Sequence, residues 1–246
     1  MTTKLAKSLN VLLVGFSPVI RDGLKSFLAT DQNIKLVENA ANEEQSLLRI
    51  RQSNQQGWSI DVVLMETRTT RYDGIKVTKL IKDEFPEVVI LVLTENSNDS
   101  NIIDAIHAGA SGYIFLNDMT PEALIKCIWD VLEGGAQINA KLLKAAVDDL
   151  LQNGRKTLAE RTAEAAHLTE REVDVVRLLG NGQSNKQISE SLGITLDTTK
   201  KHVRNIIDKL QAHGRTHAAL IAAQTGIAGI KPISFNGSIS FQQIPK

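Results

Sequence analysis

The sequence predicts an α/β unit, a five-stranded parallel and doubly wound sheet, joined to a smaller four-helix all-α unit. Three observations lead there. Short apolar runs alternate with amphipathic stretches five times in the first half. The strand signal then stops, and residues 168–227 contain four helical segments and little else. The charge changes with it: residues 10–134 hold 11 Lys and Arg against 18 Asp and Glu, whereas residues 167–228 hold 8 against 6.

The apolar runs at 11–14, 34–37, 62–65, 88–93 and 113–116 have the length and continuity of buried strands. Helical stripes lie between and after them. Leu24, Phe27 and Leu28 mark the first, and Leu47, Leu48 and Ile50 the second. Ile75, Leu80 and Ile81 mark the third, Ile102, Ile103 and Ile106 the fourth, and Leu124, Ile128, Trp129 and Leu132 the fifth. Repeated strand–helix alternation implies parallel strands covered by helices on both faces. Gly57, Gly109, Gly134 and Gly135 punctuate the helix ends. The first unit is therefore expected over 10–134 and the second over 167–228. Residues 135–166 form a connector, with an amphipathic helix at 140–151 and a polar, alanine-rich linker after it. A tail follows from 229 to 246. Its Asn236-Gly237 pair, between alternating apolar residues, fits either a hairpin turn or an unstructured end.

Hydrophobic residues make up 42% of the chain, enough for ordinary cores. The sequence has no run of eighteen apolar residues, so no membrane span is expected. The polar start does not resemble a secretory signal, and the single Cys127 fits a reducing, cytoplasmic setting as a buried structural thiol. Phosphate-binding loops, zinc motifs and nucleophile elbows are absent, so neither an enzyme nor a cofactor or metal requirement is predicted.

The second unit carries the sharper motifs. Thr169 and Glu172 have the spacing of a capping box, and Val173, Val176, Leu178 and Leu179 follow as an apolar stripe. Asn181 and Gly182 end that helix. A short second helix over 184–192 turns Ile188 and Leu192 inward, and Gly193 permits the turn after it. A third helix opens at Thr195 and runs to Leu210, with Val203, Ile206, Ile207 and Leu210 as its buried stripe. Lys200, Lys201, Arg204 and Asn205 lie largely off that stripe. Charge alone would describe a solvated face. Short helix, glycine turn and long basic helix in this order instead point to a helix that enters a major groove, where its first turns reach base edges. Thr198 and Thr199 are candidates for phosphate or thymine-methyl contacts. His202 reads as a structural histidine, and the His213 and His217 pair is too small for a complete metal site.

The strings LTEREV at 168–173, GQSNKQIS at 182–189 and TTKKHVRNIIDKL at 198–210 resemble the LuxR/NarL-type helix-turn-helix. That resemblance puts Lys200, Lys201 and Arg204 at groove-facing positions. It makes Ser184, Asn185 and Lys186 candidates for phosphate contacts. It also makes the last helix, 215–224, a dimer surface. The strings PVIRDG at 18–23, VVLM at 62–65, YDGI at 72–75 and AGASGY at 108–113, with Leu93 and Thr94, resemble a response-regulator receiver domain. Together the two likenesses cover nearly the whole chain.

A receiver of that family uses two carboxylates after the first strand to hold Mg²⁺. An Asp ending the third strand accepts the phosphoryl group, a Thr or Ser follows the fourth, and a Lys follows the fifth. Here the acidic pair falls on Gly15 and Phe16, the acceptor on Glu66, and the lysine on Leu116; Thr94 is retained. Without the acids Mg²⁺ loses its hard oxygen ligands, and without metal and lysine nothing neutralises a transferring phosphoryl group. Tyr113 matches the family's switch aromatic and equally suits a core tyrosine.

Three functions compete: a DNA-binding regulator independent of aspartyl phosphorylation, a phosphorylated regulator with an unusual acceptor, and an adaptor acting through protein contacts. The intact helix-turn-helix and the altered pocket favour the first, a homodimer on double-stranded DNA. RNA polymerase or a signalling protein stands as a further partner, and no membrane is involved.

Overall fold

The apolar runs become strands because both of their faces are covered. β1 (Leu9–Val14) is buried at five of its six positions, and β3 (Val62–Glu66) at all but the last. In the computed structural model, residues 8–69, 72–94, 101–134 and 167–224 are described. The remaining main strands are β2 (Ile34–Ala40), β6 (Val89–Thr94) and β7 (Gly112–Phe115). All pair in parallel in the order β2-β1-β3-β6-β7. This is the expected doubly wound sheet.

The helices are α1 (Pro18–Leu28), α2 (Glu43–Gln55), α3 (Gly74–Glu84), α4 (Ile102–His107) and α5 (Pro121–Leu132). Local chemistry sets where they begin. Proline at the first position of α1 gives up no needed donor, and Ser17 caps it. Asn42 caps α2, whose first turn holds Glu43 and Glu44 next to the positive end of the helix dipole. Asp73 caps α3 by accepting from the Ile75 and Lys76 amides at 3.0 and 3.3 Å. Gly57, Gly109 and Gly134 all have positive φ, as their punctuating role requires. Trp129 on α5 donates to Asp31 at 2.9 Å, tying that helix to the turn before β2.

Strand bounds differ from expectation in informative places. β1 begins at Leu9, two residues early, because the Leu9 amide donates to the Asn33 carbonyl. β7 stops at Phe115, and Leu116 enters a short 3₁₀ turn, Leu116–Asp118. A two-stranded antiparallel hairpin, β4 (Arg68–Thr69) with β5 (Tyr72–Asp73), was not predicted. Two-residue strands carry no periodicity to read.

The chain divides into two units, Met1–Trp129 and Asp130–Lys246. The helical unit holds α6 (Glu170–Gly180), α7 (Asn185–Leu192), α8 (Leu196–Lys209) and α9 (Arg215–Gln224). The helix expected at 140–151, the linker after it and the tail lie outside the described residues.

Gly74 shows how closely the acceptor end of β3 is packed. A Cβ at this position would come within 2.3 Å of the Glu66 carbonyl oxygen and 2.6 Å of that of Thr67. The Gly74 amide itself donates to Thr67 at 2.9 Å. Backbone on both sides cannot give way as a side-chain tip could. Gly74→Ala is expected to cost on the order of 1–3 kcal/mol, read as a lower urea midpoint for the first unit's transition. A midpoint equal to wild type would contradict this packing.

Candidate nucleic-acid interface

The interface is built on a small aliphatic core. Val175, Val176 and Leu179 of α6, Ile188 of α7, Val203, Ile206 and Leu210 of α8, and Ala218, Ala219, Ile221 and Ala222 of α9 form one buried cluster. Leu178, Leu192 and Ile207 pack against its margin. The buried stripe of α6 includes Val175, while Val173 is only half-buried, so the helix is rotated slightly from the predicted setting.

Three polar devices fix the helices around that core. The capping box of α6 forms as its sequence predicts, with the Glu172 amide donating to the Thr169 hydroxyl at 3.3 Å and the Thr169 amide to Glu172 at 2.8 Å. Glu172 is 3% exposed and also receives Lys209 Nζ from the end of α8 at 2.6 Å. Burial works against its ionised form, but hydrogen bonds from Lys209 and Thr169 outweigh it and hold the carboxyl below the usual range. Arg171 donates to the Leu192 carbonyl at 2.7 Å, joining α6 to the end of α7. Arg215, the first residue of α9, donates to Asn185 Oδ1 at 2.6 Å and to the Gln183 carbonyl. Burial lowers its guanidinium to about 10, which leaves it charged at neutral pH.

The turn between α7 and α8 works as read. Gly193 adopts φ 62°, in the left-handed region, and its amide closes on the Ser189 carbonyl. Thr195 then caps α8 by accepting from the Thr198 amide at 3.1 Å.

Lys200, Lys201 and Arg204 are all exposed on the side of α8 away from Val203, Ile206 and Leu210. Lys186 is exposed on the first turn of α7. Ser184 caps α7 in a second capping box with Gln187. Asn185 is half-buried and bonded to Arg215, so its amide oxygen serves the fold. Thr198 is exposed, and its hydroxyl lies 2.8 Å from that of Thr195. Thr199 departs from expectation. It is fully buried, one turn before Val203, and its hydroxyl donates to the Thr195 carbonyl at 3.1 Å. It belongs to the packed face and does not reach a groove.

The last helix forms over Arg215–Gln224, as predicted, but not as an open surface. Thr216 and the five residues Ala218, Ala219, Leu220, Ile221 and Ala222 are buried in the single chain. His202 is half-buried, consistent with a structural role, and its Nδ1 has no hydrogen-bond partner. His213 and His217 stack at 5.3 Å, with the His213 amide donating to His217 Nδ1 at 3.1 Å. Among the described residues, no group of three or more potential metal ligands occurs.

In the first unit, the parallel register gathers the other predicted positions at one sheet edge. Val14 pairs with Met65, Glu66 with Leu93 and Thr94 with Phe115. Gly15 and Phe16 follow β1, Glu66 ends β3, Thr94 ends β6 and Leu116 follows β7. Phe16 and Thr94 are buried, whereas Glu66 and Leu116 are half-buried. Tyr113 is buried with its ring 5.7 Å from that of Phe115, in a core setting. Cys127 is a buried free thiol.

The receiver-domain family of response regulators matches residues 11–128, and the luxR family of bacterial regulatory proteins matches residues 166–222. The transcriptional regulatory protein LnrK of Bacillus subtilis (strain 168) is 32% identical over 89% of this chain and 99% of its own length. A nitrate/nitrite response regulator protein homolog of Haemophilus influenzae is 31% identical over 87% of this chain and 95% of its own. A solved LuxR-family response regulator from Aurantimonas sp. SI85-9A1 shares the fold: TM-score 0.51 at 21% identity, covering 59% of this chain and 100% of that one. This chain is a transcriptional response regulator of the NarL/LuxR family.

Two residues that organise this response regulator were not singled out from sequence as joints. They are Lys209 and Arg215. The spacing from Glu172 to Lys209 holds no local signal, since the pair is visible only once α6 and α8 are packed. Because Glu172 is depressed in the folded state, its stabilising contribution is present above the unfolded carboxyl value, about 4.3, and is lost as pH falls through the lower folded value. Glu172→Gln is expected to lower the helical unit's stability at pH 7 by about 1–3 kcal/mol. The deficit should shrink as pH drops below about 4.3, which pH-dependent chemical denaturation measures. A pH-independent deficit would contradict the ion pair's role.

Proposed function

We propose that this response regulator binds duplex DNA sequence-specifically through α8, as a cytoplasmic homodimer, and that its receiver works without aspartyl phosphorylation. The observation that carries the DNA reading is the outward basic face of α8: Lys200, Lys201 and Arg204 stand opposite the buried stripe, on the first turns of a helix held within a complete helix-turn-helix. Lysine and arginine there can pair with guanine edges, while Lys186 and the start of α7 contact phosphate. Two modules related by a two-fold axis would read an inverted repeat. A dimer that uses α9 must first expose residues now buried, because Ala218, Ala219, Leu220, Ile221 and Ala222 lie inside the single chain.

The phosphorylation reading rests on the residues at the sheet's carboxyl edge. Gly15 and Phe16 supply no carboxylate for a hard cation, and Leu116 supplies no charge for a phosphoryl group. Glu66 carries its carboxylate one methylene farther from the backbone than Asp would. Control then comes from abundance, a protein partner or a ligand that prefers one conformation of the receiver.

Three experiments test these readings. Simultaneous alanine substitution of Lys200, Lys201 and Arg204 should abolish sequence-specific binding in a mobility-shift assay, each base-reading side chain being worth on the order of 1–3 kcal/mol; binding at wild-type affinity would refute the interface. Incubation with acetyl phosphate and Mg²⁺ should leave the intact mass and the DNA affinity unchanged, so an adduct of one phosphoryl group would overturn phosphorylation independence. Glu66→Gln should also bind DNA as wild type does. Weaker binding would mark Glu66 as a standing mimic of a phosphorylated acceptor, though with less charge than the roughly −1.5 to −2 of a phosphoryl group.

A further inference from the structure

Among the described residues, Leu196 is the exposed large apolar side chain of the helical unit, at 42% exposure. It opens α8 and is not one of the residues of the buried cluster. Other apolar residues of this helix are engaged, with Val203, Ile206 and Leu210 inside the cluster and Ile207 against it. Leu196 precedes Lys200 by four residues and Arg204 by eight, so the three form one ridge along the helix. The polar groups beside it are committed elsewhere. The Thr195 hydroxyl accepts from the Thr198 amide and meets the Thr198 hydroxyl, and Thr199 bonds back to the Thr195 carbonyl. Asp197, also exposed, carries a charge that phosphates repel.

A helix seated in a major groove brings its first turn closest to the base edges. Thymine is the base that displays an apolar group there, its C5 methyl, and aliphatic side chains are its partners. We propose that Leu196 is a specificity-determining residue that packs on a thymine methyl next to the base pairs contacted by Lys200. The proposal rests on α8 being the DNA-reading helix and adds what that reading lacks, a preference for thymine set by apolar contact instead of by hydrogen bonding. The basic residues of the ridge supply attraction and register, and Leu196 supplies discrimination that salt does not screen.

The test uses the full chain and a duplex that it selects from a randomised pool. Each thymine of the enriched motif is replaced in turn by deoxyuridine, which removes the methyl and leaves base pairing intact. At one thymine per half-site, affinity for wild type should fall about fourfold, the worth of one buried methyl-sized group. Leu196→Ala, which removes the contact from both half-sites, should bind the thymine duplex about sixteenfold more weakly and be insensitive to deoxyuridine, whereas Leu196→Met should keep the sensitivity. Because the side chain is exposed, thermal melting of both variants should match wild type. Enrichment of a motif with no deoxyuridine effect at any thymine, or a Leu196→Ala variant as sensitive as wild type, overturns the proposal and leaves the DNA reading standing. Failure to enrich any motif overturns both.

Discussion

The orientation of α8 depends on one buried carboxylate. Glu172 sits in the first turn of α6 yet is bonded to Lys209 at the end of α8, while Thr169 satisfies the same oxygen from the α6 cap. An ionised group buried to this degree is tolerated only when its partners are in place. The requirement makes α8 a helix with a defined end point as well as a defined face. Lys209, about a third exposed, completes the pair with its ammonium 2.6 Å from the carboxylate. The aliphatic cluster supplies the driving force for packing the four helices, but aliphatic packing tolerates sliding. Glu172 with Lys209, and Arg215 with Asn185 and Gln183, are directional joints that resist it.

On the proposed reading, the two departures at the receiver's sheet edge also belong together physically. An acidic pair without its metal would leave two like charges facing an acceptor carboxylate, and a lysine without those acids would be a cation with less to neutralise. On the proposed reading of this pocket, Gly15 and Phe16 in place of the acids and Leu116 in place of the lysine remove opposing charges together. What remains at this edge is one half-buried carboxylate, one buried threonine and apolar bulk. The surrounding scaffold is not relaxed to match. Gly74 still meets the end of β3 too closely for any side chain, and Asp73 still caps α3 beside it. The fold of the edge is thus maintained by backbone packing and capping, independently of the chemistry its side chains can support.

Much of this was legible in the sequence because it depends on local rules. Periodicity located the five parallel strands and the nine helices described, while capping residues and the left-handed glycine at 193 set the helix-turn-helix register. Of the residues expected on the exposed basic face of α8, Lys200, Lys201 and Arg204 were legible because a helical wheel separates them from Val203 and Ile206. Thr199 was not, since a threonine one turn before a buried valine can either face solvent or turn its methyl to the core, and here its hydroxyl is satisfied by the backbone. The burial of α9 was illegible for a related reason. An alanine-rich helix has little amphipathic contrast, so its sequence does not reveal how many of its sides are covered. Asn185 and Arg215, thirty positions apart, could not be paired without the tertiary structure.

A chain with no net charge can still engage a polyanion because the field that matters is local. The excess of acids is confined to the first unit, whereas α8 places three cations within two turns on one exposed face. Asp197 and Asp208 lie at the two ends of that face, also exposed. With α8 in a groove as proposed, acids sited there would limit how far the helix can slide along its axis against phosphates without bringing like charges together. Attraction at the centre with repulsion at both ends favours one seating depth over its neighbours. Base-edge contacts need that restriction, since hydrogen bonds and methyl contacts discriminate among bases only if the helix returns to the same depth at every encounter. With α8 seated as proposed, its acids add to positional specificity although they subtract from the overall attraction.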